Sequence, residues 1–142
     1  MKNVKITIKS TQNYENGQKD TAEISTVGTF EKNEDSFIIS YLDSSATGFE
    51  GCTTTLTVFD NDKVTLLRTG KNNNSDLTIE NGKKHHSVYS TVYGDMMIGV
   101  NAKSVVSTLT QNGGNIYLNY TVDINSAFIS ANELYITVEE TK

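Results

Sequence analysis

The chain has 142 residues, 36% of them hydrophobic and 20% charged, with a net charge of -5 and a single cysteine, Cys52. That length fits one domain, expected over 1–142, with one core. The acidic balance argues against a nucleic-acid or anionic-membrane partner, and one thiol excludes both an internal disulfide and a multi-thiolate metal site.

No apolar run is long enough to span a bilayer, and Met1-Lys2-Asn3-Val4-Lys5 leads into alternation instead of an apolar signal segment. The expected compartment is the cytoplasm. Alternation dominates from there on. Successive side chains of a strand face opposite ways, so period two reads as a strand with one dry and one wet face. The first strand is expected over 3–12, with Val4, Ile6 and Ile8 inward, and others over 20–32, 36–43, 53–59, 63–69, 76–80, 84–92, 95–101, 104–111, 115–124 and 131–139. The series Ile116, Leu118, Tyr120, Val122, Ile124 is the clearest, and Leu134, Ile136 and Val138 continue the pattern at the other terminus.

Turn residues divide these segments. Asn16-Gly17 and Asn81-Gly82 supply the positive-φ tolerance of two-residue hairpin turns. Asn33-Glu34-Asp35, Asp60-Asn61-Asp62, Tyr93-Gly94-Asp95 and Asn112-Gly113-Gly114-Asn115 mark further reversals. Ser44 to Gly51 and Gly70 to Ser75 are the longer connections. No segment carries helical spacing and proline is absent. The expected class is therefore all-β, a closed antiparallel up-and-down barrel of eight or more strands, because closure removes the two edges that an open sheet exposes. The first and last strands are expected to be neighbours. A two-sheet sandwich with a Greek-key path also satisfies the period.

Arg68 is the only arginine, and it shares the parity of Val64 and Leu66, so the register that buries those two also turns its guanidinium inward. Two roles fit: a plug that bonds carbonyls or a carboxylate such as Glu50 or Asp43, or a fork that grips a ligand carboxylate or phosphate. Tyr41, Tyr89 and Tyr120 combine rings with hydroxyls and are candidate lining residues. His85 and His86 face opposite ways on a strand, so they do not share a metal ion. One is solvated and the other lines the interior, with His86 taken as the candidate. Asp60-Asn61-Asp62 opens like a calcium loop but has Val64 where the fifth position needs oxygen. Gly48-Phe49-Glu50-Gly51 is not followed by a helix and reads as a hinge or barrel lid, not as a phosphate loop. Cys52 reads as a small buried thiol. No nucleophile, acid/base couple, cofactor motif or metal set emerges, so an enzyme is not expected and no cofactor is called for.

Three segments carry a resemblance. Thr47-Gly48-Phe49-Glu50-Gly51-Cys52-Thr53-Thr54-Thr55-Leu56, then Val64-Thr65-Leu66-Leu67-Arg68-Thr69-Gly70, then Tyr89-Ser90-Thr91-Val92-Tyr93-Gly94 resemble successive signatures of the YwiB-like family of uncharacterised bacterial proteins. The resemblance implies a calycin-like β-barrel, similar in shape to lipocalins, from the cytoplasm of low-GC Gram-positive bacteria. It implies no activity, ligand or catalytic residue, and without tryptophan the Gly-x-Trp feature of true lipocalins is absent. The expected function is a small-ligand binding protein with an internal pocket. The alternative is an interaction module or homodimer that uses its outer face, with Tyr117 and Tyr135 as anchors and a filled barrel.

Overall fold

A computed structural model describes residues 2–42, 51–59, 63–70, 75–91, 94–125 and 127–141, the side chains of 75 and 89–91 excepted. Ten strands are formed: β1 Lys2–Tyr14, β2 Lys19–Lys32, β3 Ser36–Leu42, β4 Thr53–Phe59, β5 Lys63–Thr69, β6 Ser75–Glu80, β7 Lys84–Thr91, β8 Gly94–Ser107, β9 Gly113–Ile124 and β10 Ala127–Glu140. No helix among the described residues is long and apolar enough to cross a membrane. The expected connection over 44–51 lies outside the described residues up to Gly51. So do the turn at 60–62, the asparagine run at 72–74 and Tyr93.

All ten strands make one antiparallel sheet in the order β6-β5-β4-β3-β2-β1-β10-β9-β8-β7. Every neighbour in that order is also consecutive in the chain except β1 beside β10, which run in register from Val4↔Glu140 to Tyr14↔Ser130. The path is therefore a meander, and the Greek-key sandwich is excluded. The sheet curls until β6 and β7 lie alongside one another, giving a nearly closed up-and-down barrel.

The two Asn-Gly turns form, but neither is a simple two-residue hairpin. At Asn16-Gly17 the Tyr14 N–H donates to the Gln18 carbonyl at 2.8 Å and the Gly17 N–H to the Tyr14 carbonyl at 3.0 Å, with φ of 87° at Gly17. The loop thus holds three residues and ends in a left-handed glycine, the other common hairpin solution. At Asn81-Gly82 only the glycine has positive φ, 74°, and Lys83 N–H donates to the Glu80 carbonyl at 3.0 Å. A turn of that kind splays its flanking strands instead of matching their twist. Its backbone turns instead to β8: Gly82 N–H donates to the Ala102 carbonyl, and the Lys83 carbonyl accepts from Ala102 N–H, both at 3.2 Å.

A third correction concerns β8, which was expected as two strands over 95–101 and 104–111. It is one strand with a bulge between Ala102 and Ser104 in its pairing with β9. The extra residue, Lys103, shifts the parity from Val100 and Ala102 to Val105, and all three remain buried.

Inward residues follow the ladders. Val4, Ile39, Val64, Ile79 and Leu118 are fully buried, and Phe30, Leu56, Val58, Ile116, Ile136 and Val138 are nearly so. Phe30 and Phe37 stack with centroids 5.7 Å apart. The rungs Val58–Val64, Val64–Ile79 and Lys2–Phe30 put this dense apolar packing toward the end where β4 turns into β5. At the other end the inward rung is Tyr41–Thr54–Arg68, and its composition changes from apolar to polar.

Candidate functional site

Arg68 sits on β5 opposite Thr54 of β4, which in turn faces Tyr41 of β3. Since Leu56–Leu66 and Val58–Val64 on the same face are inward, the ladder carries the guanidinium inward as well. Arg68 is half-buried, and its Nε donates to Thr54 Oγ1 at 3.1 Å, while Thr54 is fully buried and Tyr41 is buried.

From the opposite wall, β9 contributes Tyr120. It is buried, 8% exposed, and pairs across the ladder with Asn132 of β10 and Ala102 of β8. Burial pushes its phenol up to about 12, and the positive charge of Arg68 works against that rise. The two side chains therefore share one electrostatic environment inside the barrel. Among the described residues the Tyr120 hydroxyl makes no hydrogen bond.

Asn132 is 3% exposed and its described partner is Ser130, also buried, at 3.2 Å from Nδ2. Its second amide N–H has no partner among the described residues. Asn132 and Ser130 were not anticipated from the sequence. The available signal was parity, since both continue the inward series Leu134, Ile136, Val138 toward the N-terminal end of β10.

Around these polar groups, Leu66, Leu77, Val122, Leu134 and Ile98 share the inward face yet are only partly buried, packed against the edge of the core. The site thus combines an apolar wall with buried donors and one guanidinium.

Of the candidate residues, Arg68, Tyr41 and Tyr120 come together at this end. Tyr89 pairs through its backbone with Met96, and its side chain lies outside the described residues. His86 does not line the interior. It is exposed and pairs with Gly99, whereas His85 pairs with buried Val100 and is half-buried, so the two imidazoles take the reverse of the expected assignment. His85 Nε2 instead meets Glu80 Oε1 at 2.9 Å across the β6–β7 seam. Cys52 is buried, with its sulfur against Gly70, where a Cβ would come to 2.5 Å of it. Among the described residues no three His, Cys, Asp or Glu side chains are grouped to hold a metal ion.

The outer face carries a separate feature. Val106, Tyr117 and Tyr135 are cross-strand neighbours on β8, β9 and β10, with the two tyrosine rings 4.6 Å apart at 40°. Val106 and Tyr135 are about half exposed. Open clefts of ≈ 370 Å³ and ≈ 220 Å³ flank Tyr135, the first against Thr7 and Lys9, the second against Val106 and Asn115.

A family model described as a domain of unknown function, DUF1934, matches residues 6–136. Among solved structures, the chain is similar to the crystal structure of ywiB protein from Bacillus subtilis, with a TM-score of 0.82, 19% identity, and coverage of 99% of this chain and 93% of that one. At that identity the likeness carries the fold alone. No curated protein matches the chain.

Proposed function

The chain belongs to the DUF1934 family of domains of unknown function, and from that premise we propose that it is a non-catalytic, cytoplasmic binding protein that holds a small molecule in the polar end of its barrel. The observation that carries this reading is the buried Tyr120 hydroxyl, which has no hydrogen-bond partner among the described residues. A buried polar group left unmatched costs about 1–3 kcal/mol, so it calls for a partner, and the adjacent Asn132 amide has a donor to spare. Arg68, Thr54 and Tyr41 complete a set of convergent polar groups beside an apolar wall, the composition typical of small-molecule sites.

Arg68→Ala tests the reading against its rival, in which the arginine only plugs the barrel end. The binding reading predicts a folded variant that no longer retains the molecule carried by the wild type. A variant that loses much of its stability yet keeps that molecule contradicts it.

A second reading rests on the outer row Val106–Tyr117–Tyr135, an apolar and aromatic strip with flanking clefts, which suits a homodimer or partner interface. It is compatible with a ligand inside the barrel.

A further inference from the structure

Asn-Gly is the dipeptide most open to spontaneous deamidation, because glycine has no side chain to keep its backbone nitrogen from reaching the neighbouring asparagine amide. The chain has three such pairs, Asn16-Gly17, Asn81-Gly82 and Asn112-Gly113, and their surroundings differ. The Asn16 side chain is clamped through both ends of its amide, Oδ1 accepting from Gln18 N–H at 2.9 Å and Nδ2 donating to Gln18 Oε1 at 3.2 Å. Gly113 is buried, with its N–H on the Thr110 carbonyl at 3.0 Å and its backbone against the Val138 carbonyl, so the Asn112-Gly113 peptide has no room to turn. Asn81 has neither restraint. It is exposed, its side chain makes no hydrogen bond among the described residues, and a Cβ at Gly82 would meet nothing within 4 Å. The Gly82 N–H is held by the Ala102 carbonyl at 3.2 Å, the long end of the ordinary range.

The structure assigns Asn81 as the deamidation site among the three Asn-Gly pairs, and its conversion as a slow chemical loosening of the β6–β7 seam. The Gly82 nitrogen, once solvent hydroxide has taken its proton, attacks Asn81 Cγ and closes a succinimide ring. The Cγ–Nδ2 bond breaks, and the amide nitrogen leaves as ammonia with a proton from water. Water then opens the ring at either carbonyl, giving aspartate or isoaspartate at position 81, with no change of oxidation state. The product places a new carboxylate next to Glu80, whose oxygens already face His85 Nε2 at 2.9 Å and Lys83 Nζ at 3.3 Å, and it competes with Glu80 for those cationic partners. Isoaspartate also lengthens the main chain of the turn by a methylene, which displaces Gly82 and Lys83 from the Ala102 groups that pin them to β8.

Peptide mapping of the full chain, kept warm in mildly alkaline buffer either folded or unfolded in urea, tests the assignment. The expected result is conversion at Asn81 several-fold faster than at Asn16 or Asn112 in the folded protein, with the three rates alike in urea. Conversion at Asn16 or Asn112 as fast as at Asn81 in the folded protein, a lead for Asn81 that is just as large in urea, or an Asn81 that stays intact throughout overturns the site. Hydrogen exchange on the aged protein, separated by charge from the unmodified form, tests the consequence. Amides of β6 and β7 are expected to lose protection several-fold against fresh protein, while aged Asn81→Gln, whose longer side chain closes the ring far more slowly, keeps it. Equal protection in aged and fresh wild type, or the same loss in aged Asn81→Gln, overturns the loosening.

Discussion

His85 Nε2 lies 2.9 Å from Glu80 Oε1, and this contact joins β7 to β6 at the one junction of consecutive strands that no ladder spans among the described residues. Lys83 Nζ approaches the other carboxylate oxygen at 3.3 Å. The splayed Asn81-Gly82 turn leaves the seam to side chains, and Glu80 is the one they share.

The hydrogen bond from His85, aided by Lys83 and opposed by burial, holds the Glu80 carboxyl below its ordinary value of 4.5. A depressed carboxyl pKa adds stability above the unfolded-chain value, and that contribution is lost as pH falls through the folded one. Thermal unfolding from pH 7 to pH 3 is expected to show wild type more stable than Glu80→Gln near neutrality, with the two converging in acid. Hydrogen-exchange protection in β6 and β7, taken relative to the intrinsic rate at each pH, should fall over the same range. A gap between the two proteins that is independent of pH contradicts the role given to this pair.

Tyr120 sets an alkaline limit. Its phenol is raised to about 12 by burial, with Arg68 opposing, so the folded state holds that proton more tightly than the unfolded chain, where tyrosine ionises near 10. The corresponding stability is fully present below pH 10 and lost as pH rises through about 12. Absorbance titration of the folded protein is expected to include a phenol that ionises at about 12 and is missing from Tyr120→Phe. Identical titration curves for the folded wild type and Tyr120→Phe above about pH 11, apart from one phenol lost near 10, contradict the burial.

Gly28 lies where β1, β2 and β3 meet, facing Val4 on one side and Tyr41 on the other. A Cβ there would overlap the Ser40 carbonyl and come to 2.8 Å of Ile6 Cδ1. Since the closest neighbour is backbone and cannot swing away, Gly28→Ala is expected to cost about 1–3 kcal/mol in urea unfolding. Val27, 65% exposed on the other face, serves as the control, with Val27→Ala expected within about 0.5 kcal/mol of wild type.

The outer tyrosine pair gives a separable prediction. If the strip of Val106, Tyr117 and Tyr135 is an interface, then Tyr135→Lys lowers the mass measured by light scattering at high protein concentration without changing ligand retention. Equal monomer mass in both proteins at all concentrations contradicts the homodimer form of that second reading and leaves the first reading untouched.

Period-two alternation made the barrel legible because both partners of a buried rung obey it: Ile6 with Val138, Ile8 with Ile136, Leu134 with Leu118. The same signal placed Arg68 inward. It failed where an extra residue shifts the phase, since a bulge at Lys103 reads as a break between two strands. Polar residues on inward positions concealed the start of β10 and Ser130 with it, because a polar residue in the dry parity looks like the end of a strand; Asn132 fell within the expected strand at 131–139 but its polarity hid that it faces inward. An Asn-Gly pair announces a turn without fixing its type, so the seam beside Gly82 was hidden as well. For the histidines, parity required opposite faces, and the choice between them depended on a register set by Val100 and Gly99 of β8.

The binding account depends on a small molecule that meets the buried Tyr120 hydroxyl. Native mass spectrometry of the protein purified under gentle conditions from its own host tests this most directly. The predicted spectrum contains a stoichiometric small-molecule adduct that is absent or strongly reduced in Tyr120→Phe. A spectrum holding the bare chain mass alone, in wild type and variant alike, contradicts it.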